Sequence, residues 1–146
     1  TAVMLEDVCY RLYTGDGFSV FIVVTAGVGN AVDVSGCDKH SYHPEPGTIN
    51  TWVVINGHLR EEAFIQSIMT ATEAKVKAMH DAGILDSVTG TIATGTSTDS
   101  ILVGATQRGK MLEFAGTITP LGKLIGKGVY DCMLEALGKN KARVKI

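Results

Sequence analysis

The sequence predicts a fold of the α/β (α+β) class, in which a mixed, largely antiparallel sheet carries two long helices on its outside. Three observations predict it. Apolar and polar residues alternate in part over 2–13, and β-branched and aromatic residues dominate 18–26. Apolar residues recur every three or four positions over 60–82. Thr119-Pro120 starts a second helix. We expect one domain over residues 1–146, because a chain that is 45% hydrophobic suits a single compact core.

The predicted strands begin with a hairpin. Runs 2–13 and 18–26 are joined at 14–17 by the turn residues Thr-Gly-Asp-Gly. A long surface loop is expected at 32–48, where two of the three prolines lie, followed by a strand at 51–56. Further strands are expected at 89–93 and 101–105, with a shorter one at 111–115, which gives about six in all.

The two predicted helices have clear boundaries. Glu61 and Glu62 suit the first turn of the helix over 60–82, and Gly83 suits the position just after it. The second helix is predicted from Pro120 to about residue 137, with Gly138 ending it. Its small residues at 122 and 126 predict close packing on a neighbouring element, and His80 is predicted to be exposed on the first helix.

Composition excludes several classes of protein. The net charge of −2 and the lack of a basic cluster argue against nucleic acid as a partner. No apolar run reaches the roughly 18 residues that a membrane span requires. Glu6, Asp7 and Arg11 argue against a signal peptide. Three scattered cysteines favour free thiols in a reducing cytoplasm. We therefore expect a cytoplasmic protein.

Two polar loops are the best candidates for a functional site. The run ATGTSTDS at 93–100 places hydroxyls and a carboxylate around a flexible glycine, in the candidate residues Gly95, Thr96, Ser97, Thr98, Asp99 and Ser100. The run TAGVGNA at 25–31 offers Gly29 and the amide of Asn30, which suits a ligand or an oxyanion. The alternative for the first loop is a polar turn whose hydroxyls bind their own backbone, and for the second a glycine-rich turn.

A third candidate region surrounds the central strand. Asn50 precedes it, and Asn56 and His58 follow it as candidate substrate-binding residues. His58 has the chemistry of an acid, a base or a ligand donor, and a purely structural role is the alternative.

Cys37, His40 and His43 form a C-x-x-H-x-x-H run whose residue types suit zinc. A structural zinc site needs four ligands, and no second pair at ligand spacing follows, so we expect no bound metal. Contact of these three side chains with substrate remains an alternative.

Taken together, five stretches resemble the adenosylcobinamide amidohydrolase family. They are TAGVGNA (25–31), PGTINTWVVINGHL (46–59), ATEAKVKAMHDAGI (71–84), TGTIATGTSTDSILVGATQRG (89–109) and AGTITPLGKLIGKGVYD (115–131). The resemblance implies hydrolysis of the amide that joins the aminopropanol arm to the corrin ring of adenosylcobinamide. The products are adenosylcobyric acid and aminopropanol. It also implies a corrinoid substrate that carries the cobalt itself, and no cofactor held by the protein.

A weaker similarity concerns mechanism. The run TGTSTDS (94–100) is similar to a loop of the self-cleaving ornithine acetyltransferases, which use an exposed N-terminal threonine as nucleophile. That similarity implies Thr1 as nucleophile, with its own α-amino group as base. Asn30 and the Gly95–Thr96 backbone are the implied oxyanion donors. The alternative is that Thr1 is only the end of a trimmed chain.

The same similarity implies a layered αββα sandwich. A second copy or an N-terminal subunit of the same precursor would complete it, and an oligomer is expected. Two functional alternatives stay open: an acyltransferase on the same scaffold, and a binding module that holds a corrinoid without cleaving it.

Overall fold

The computed structural model describes residues 3–43 and 45–144 and consists of one sheet with two long helices on one of its faces. The strands are β1 (Cys9–Thr14), β2 (Ser19–Gly27), β3 (Ala31–Val32), β4 (Thr48–Asn56), β5 (His58–Leu59), β6 (Gly95–Thr96), β7 (Ser100–Ala105) and β8 (Met111–Leu112). The helices are α1 (Glu61–Asp81) and α2 (Pro120–Val144). The predicted fold class, a mixed α+β arrangement with two long helices, is confirmed.

The main sheet has the order β1-β2-β4-β7. The three pairings run antiparallel, antiparallel and parallel, and the first is the predicted hairpin. The parallel partner β7 follows α1, because parallel neighbours need a crossover connection. Two short ladders, β3 with β6 and β5 with β8, lie beyond opposite ends of the β4 strand.

The core lies between the sheet and the helices. Alternate residues of the central strands, such as Ile22 on β2 and Val53 on β4, are fully buried under the helices. α2 contributes Ile125 and Met133, and α1 contributes Met79. The helices therefore cover one face of the sheet.

The other face of the sheet is open and apolar. Its exposed large side chains are Tyr10, Leu12, Phe21, Trp52, Val54 and Leu102. They alternate with the core residues along the same strands, and neighbours such as Leu12 and Phe21 are cross-strand partners. Residues 3–43 and 45–144 thus form one helix layer and one sheet layer. The expected αββα arrangement would need a second pair of layers.

Two predicted strands differ from the structure. The run 2–13 becomes a strand only at Cys9, since a short 3-10 helix occupies Leu5–Asp7. The run 89–93 was wrongly predicted as a strand, and within it only Ile92 makes an isolated bridge, to Leu85. The reason is Asp86, whose carboxylate binds the backbone N–H groups of Val88 and Thr89 and folds this segment into turns.

Smaller differences concern strand lengths and the long loop. The predicted strand at 111–115 is confirmed only for Met111–Leu112, and the strand expected at 51–56 already begins at Thr48. The expected loop at 32–48 contains a 3-10 helix, Val34–Lys39, which is capped by the side chain of Asp33.

The helix boundaries agree with prediction except at one glycine. Gly83 has φ +63 just after α1, and the Thr119 hydroxyl accepts a bond from the Gly122 N–H at the start of α2. Gly138 does not end α2, which continues to Val144. A glycine within a helix weakens it by roughly 1 kcal/mol but does not have to stop it.

The glycines of α2 pack unequally. A side chain at Gly122 would collide with the Gly116 carbonyl, which confirms close packing there. At Gly126 the nearest atom, on Thr70, is at an ordinary 3.7 Å. Gly128 was not predicted to pack closely, yet a side chain there would approach Tyr13 to 2.8 Å and Ile22 to 2.9 Å. The absence of a side chain at Gly128 therefore lets α2 pack against the β1–β2 hairpin.

Within the described part of the chain, neither long helix is apolar enough over a sufficient length to cross a membrane.

Candidate functional site

A cleft of about 940 Å³ opens beside the short β3–β6 ladder. The loop that follows β2 forms one wall, and the 94–99 segment forms another. The segment 34–43, together with Glu45, and the turn after α1 close the remaining side. The predicted residues that line the cleft are Gly29, Asn30, Gly95, Thr96, Ser97, Thr98 and Asp99. The structure therefore brings together the two loops that were predicted to form a site.

An ion pair lies at the inner end of the cleft. Lys75 Nζ of α1 is 2.5 Å from Asp99 Oδ2, and the side chains keep only 10% and 16% of their exposure. The other carboxylate oxygen accepts the Thr96 hydroxyl at 2.5 Å and the Ile49 N–H at 3.1 Å. Asp99 thus orients the Thr96 hydroxyl and fixes the loop to β4.

Gly95 leaves space for this ion pair. A side chain at residue 95 would lie 2.5 Å from Asp99 Oδ2 and 2.8 Å from Lys75 Nζ. The glycine therefore allows the buried charges to approach the backbone, which explains its place in the ATGTSTDS run.

Asn30 lies at the opposite wall and reaches across to the same loop. Its amide nitrogen donates to Ser97 Oγ at 2.8 Å and, more weakly, to the Glu45 carbonyl at 3.4 Å. Its carbonyl oxygen is buried without a partner among the described residues, against Gly47. Both amide hydrogens already have acceptors, so binding an oxyanion would require Asn30 to release the weaker bond to Glu45.

A histidine–carboxylate pair forms the third part of the cleft. His40 Nε2 lies 2.8 Å from Asp86 Oδ2, and Asp86 is fully buried. Burial alone would raise the pKa of Asp86. Backbone N–H groups, first that of Asp33, together with His40 outweigh burial and hold this pKa well below its usual range. Asp86 is therefore a carboxylate, and among the described residues His40 is the one side chain that binds it.

Asp33 stabilises this pair through hydrogen bonds of its carboxylate and of its backbone N–H. Its carboxylate accepts the hydroxyls of Ser35 and Thr91. These bonds, with that of Thr91 first, lower the pKa of Asp33. The backbone N–H of Asp33 in turn binds Asp86. The turn that carries Asp86 is thus tied to the loop that carries His40.

Not all of the predicted residues reach the cleft. Asn50 and Ser100 bind each other at 2.7 Å on the neighbouring strands β4 and β7, and neither lines the cleft. Asn56 and His58 lie at the far end of β4. Eight steps of about 3.3 Å separate Thr48 from Asn56, so these two side chains are roughly 26 Å from the cleft end of that strand. The structure does not bring them to the site.

Thr1, the candidate nucleophile, lies outside the described residues. Cys37 and His43 line the cleft together with His40. In 3–43 and 45–144, no group of three or more histidine, cysteine or acidic side chains is placed to hold a metal ion. The geometry instead pairs His40 with Asp86.

Sequence reasoning missed Lys75 and Asp86. Lys75 lies on the buried face of α1, within the run 60–82 whose recurring apolar residues predict the helix. Asp86 lies in a segment that looked like a connection to a strand. A lysine on the buried face of a helix was a usable signal, because lysine is almost never fully buried unless it is paired.

The fold and the cleft define a small α+β protein whose polar site lies at one end of a mixed sheet, with a buried ion pair and a carboxylate-bound histidine. A family model described as adenosylcobinamide amidohydrolase matches residues 1–145. The chain belongs to the adenosylcobinamide amidohydrolase family.

Three relatives are similar to this chain. An uncharacterized protein of Methanocaldococcus jannaschii is 35% identical over 103 residues, which cover 70% of this chain and 40% of the relative. An adenosylcobinamide amidohydrolase of Methanosarcina mazei is 30% identical and covers 88% of this chain and 60% of its own length. An uncharacterized ABC transporter ATP-binding protein of Bacillus subtilis is 26% identical, over 90% of this chain and 22% of the relative. The chain thus spans between about a fifth and three fifths of these relatives.

Proposed function

We propose that this chain hydrolyses the amide between the aminopropanol arm and the corrin ring of adenosylcobinamide, giving adenosylcobyric acid and aminopropanol. The observation that carries the proposal is the convergence of the 25–31 and 93–100 loops on one cleft, in a chain of this family. In this proposal the arm that carries the amide enters the cleft, while the bulky ring stays outside. The cobalt enters with the substrate, and we expect no cofactor of the protein itself.

Residues of the cleft divide into two roles in this proposal. Gly29, Ser97 and Thr98 bind the arm through main-chain groups and hydroxyls. Asn30 and the main-chain N–H groups of Gly95 and Thr96 face the oxygen on which charge develops, where each donor contributes roughly 3–4 kcal/mol. Asp99 keeps the Thr96 hydroxyl in place through their 2.5 Å bond.

The nucleophile in this proposal is Thr1. Its α-amino group takes the hydroxyl proton, the oxygen forms an ester with the acyl group, and the amine leaves with that proton. The similarity of the run 94–100 to a loop of the self-cleaving ornithine acetyltransferases, which use an N-terminal threonine, supports this assignment.

Turnover tests the function directly. Purified protein is incubated with adenosylcobinamide, and the release of aminopropanol and adenosylcobyric acid is measured by mass spectrometry. Asn30→Leu should lower kcat by about 10²- to 10³-fold if its amide serves the oxyanion. Asn56→Leu is the matched control, since Asn56 lies at the far end of β4 from the cleft. Absence of products from the wild-type protein would refute the proposal.

The nucleophile has its own test. The full-length gene is expressed, and the N-terminal sequence of the purified protein is determined. A chain beginning at Thr1, together with loss of activity in Thr1→Ala, is expected. An uncut chain with full activity would exclude a free N-terminal threonine.

The acyltransferase alternative is tested by adding an acceptor amine to the adenosylcobinamide assay. Acyl transfer would give a new amide of that amine as a product.

The proposal includes a second copy of the chain over the open sheet face. Among the six exposed side chains that define this face, from Tyr10 to Leu102, none is charged. Contiguous apolar patches of this kind mark interaction sites. Light scattering should give the mass of a dimer or a larger oligomer. The mass of a single chain would argue against this second copy. If an N-terminal fragment also stays bound when the full-length gene is expressed, the precursor subunit is favoured instead.

A further inference from the structure

We propose that His40, oriented by Asp86, is the general base that takes the proton of the hydrolytic water in the cleft. This inference rests on the proposed function, and it concerns the attack of water, a step for which no base has been assigned. The proposed α-amino base of Thr1 acts on the hydroxyl of that same residue. Hydrolysis consumes one water molecule. A water attacking an acyl carbon near neutral pH needs a group that removes its proton as the new bond forms.

The geometry points to one nitrogen of His40. Nε2 faces Asp86 Oδ2 at 2.8 Å, and a carboxylate can only accept, so in the neutral imidazole Nε2 carries the hydrogen. The lone pair then lies on Nδ1. In the described parts of the chain, no side chain or backbone group bonds Nδ1. His40 lines the cleft and keeps 22% of its side-chain exposure, and in this inference the hydrolytic water reaches Nδ1 from the cleft.

Asp86 is suited to stabilise the charge that forms. It is fully buried and ionised, and three backbone N–H groups hold it besides His40. An imidazolium formed at His40 would face this negative charge at 2.8 Å. A buried carboxylate that fixes the histidine tautomer and stabilises its protonated form is the arrangement that general-base catalysis uses.

The water step moves one proton through His40 and breaks one bond to the acyl carbon. Nδ1 takes one proton of the water, and the water oxygen bonds to the acyl carbon. The bond from that carbon to the departing atom then breaks with its electron pair. The imidazolium returns the proton to the departing atom. That atom is the Thr1 oxygen if an ester has formed, or the amine nitrogen if water attacks the amide directly.

Two substitutions at His40 test the proposal. Gln is chosen because its amide nitrogen can still donate to Asp86, so that His40→Gln keeps the fold but lacks a base. His40→Ala leaves a space that free imidazole can enter. The control is His80→Ala, because His80 is exposed on α1 and does not line the cleft. Thermal melting of each variant checks folding.

We expect kcat for adenosylcobinamide to fall by about 10²- to 10⁴-fold in both His40 variants, while KM changes by less than about threefold. Added imidazole should raise the kcat of His40→Ala by at least about tenfold. It should not raise the kcat of His40→Gln, because the glutamine side chain fills the space. His80→Ala should match the wild type. Retained kcat in folded His40→Gln would overturn the inference. Loss of kcat without imidazole rescue and with an equal loss of corrinoid affinity would also overturn it, since His40 would then act structurally. Absence of wild-type turnover would overturn the proposed function, and this inference with it.

Discussion

The Lys75–Asp99 ion pair allows a quantitative test of what stabilises the cleft. Lys75→Met removes the ammonium group and keeps most of the apolar stem, so the main change is that Asp99 loses one of three donors. Breaking a fully buried pair costs about 3–5 kcal/mol, because the remaining charge is left uncompensated. Asp99 keeps 16% exposure, and its bonds to Thr96 and Ile49 persist. We therefore expect a smaller loss, roughly 2–3 kcal/mol in the free energy of unfolding.

A double-mutant cycle separates the pair from its surroundings. Asp99→Asn leaves Lys75 charged and nearly buried, which should cost a similar amount. The double variant removes both charges and should cost at least about 1 kcal/mol less than the sum of the single losses. Urea denaturation provides the free energies, with slopes checked for equality. Additive losses would refute the reasoning, because they would mean that the two groups do not interact.

Other predictions concern the packing of the helices, the stability of the fold at low pH and the open face of the sheet. Gly128→Ala should lower the free energy of unfolding by about 1–3 kcal/mol through overpacking on the hairpin, whereas Gly138→Ala, with nothing within 4 Å, should raise it by about 0.5–1 kcal/mol. Urea titration of both variants checks this matched pair, and equal effects would contradict it. Ion pairs with lysines one helical turn away lower the pKa values of Asp81 and Glu135 to about 2. Because these values are depressed in the folded state, the stability they contribute is present above about pH 4 and should be lost as the pH falls toward 2. Melting temperatures measured from pH 6 to 2 test this, and Asp81→Asn should flatten the curve. Trp52→Lys should lower the mass measured by light scattering, and an unchanged oligomer would show that another surface holds the copies together.

The fold was predictable where local patterns decide it. The apolar recurrence in α1 and the Thr119-Pro120 start of α2 are local signals, and both helices formed there. The parallel pairing of β4 with β7 was not predictable, because it depends on where α1 packs. The strand expected at 89–93 failed because the side chain of Asp86 competes with a partner strand for its backbone N–H groups.

The candidate site was predicted only in part, because local patterns can be recognised in a sequence while contacts between distant segments cannot. Polar residues around Gly29 and Gly95 are conspicuous in their own segments, and both loops line the cleft. Asn56 and His58 looked equally suitable, but nine residues of extended strand carry them away from it. The His40–Asp86 pair joins residues 46 positions apart, and no short-range sequence pattern predicts such a contact.

The parallel crossover also has a consequence for the order of folding. The β1–β2 hairpin and its pairing with β4 join neighbouring segments, whereas β7 reaches β4 only after the whole of α1 has been placed between them. Contacts between distant segments carry the larger loop-closure entropy and tend to form later. The 94–99 segment immediately precedes β7, so the cleft is assembled with the last strand to join. In a refolding experiment, recovery of corrinoid binding should therefore follow the slowest phase, after the helical signal has already returned. The same edge should be the first to exchange its amide hydrogens under native conditions, which would make the site the least protected part of the sheet.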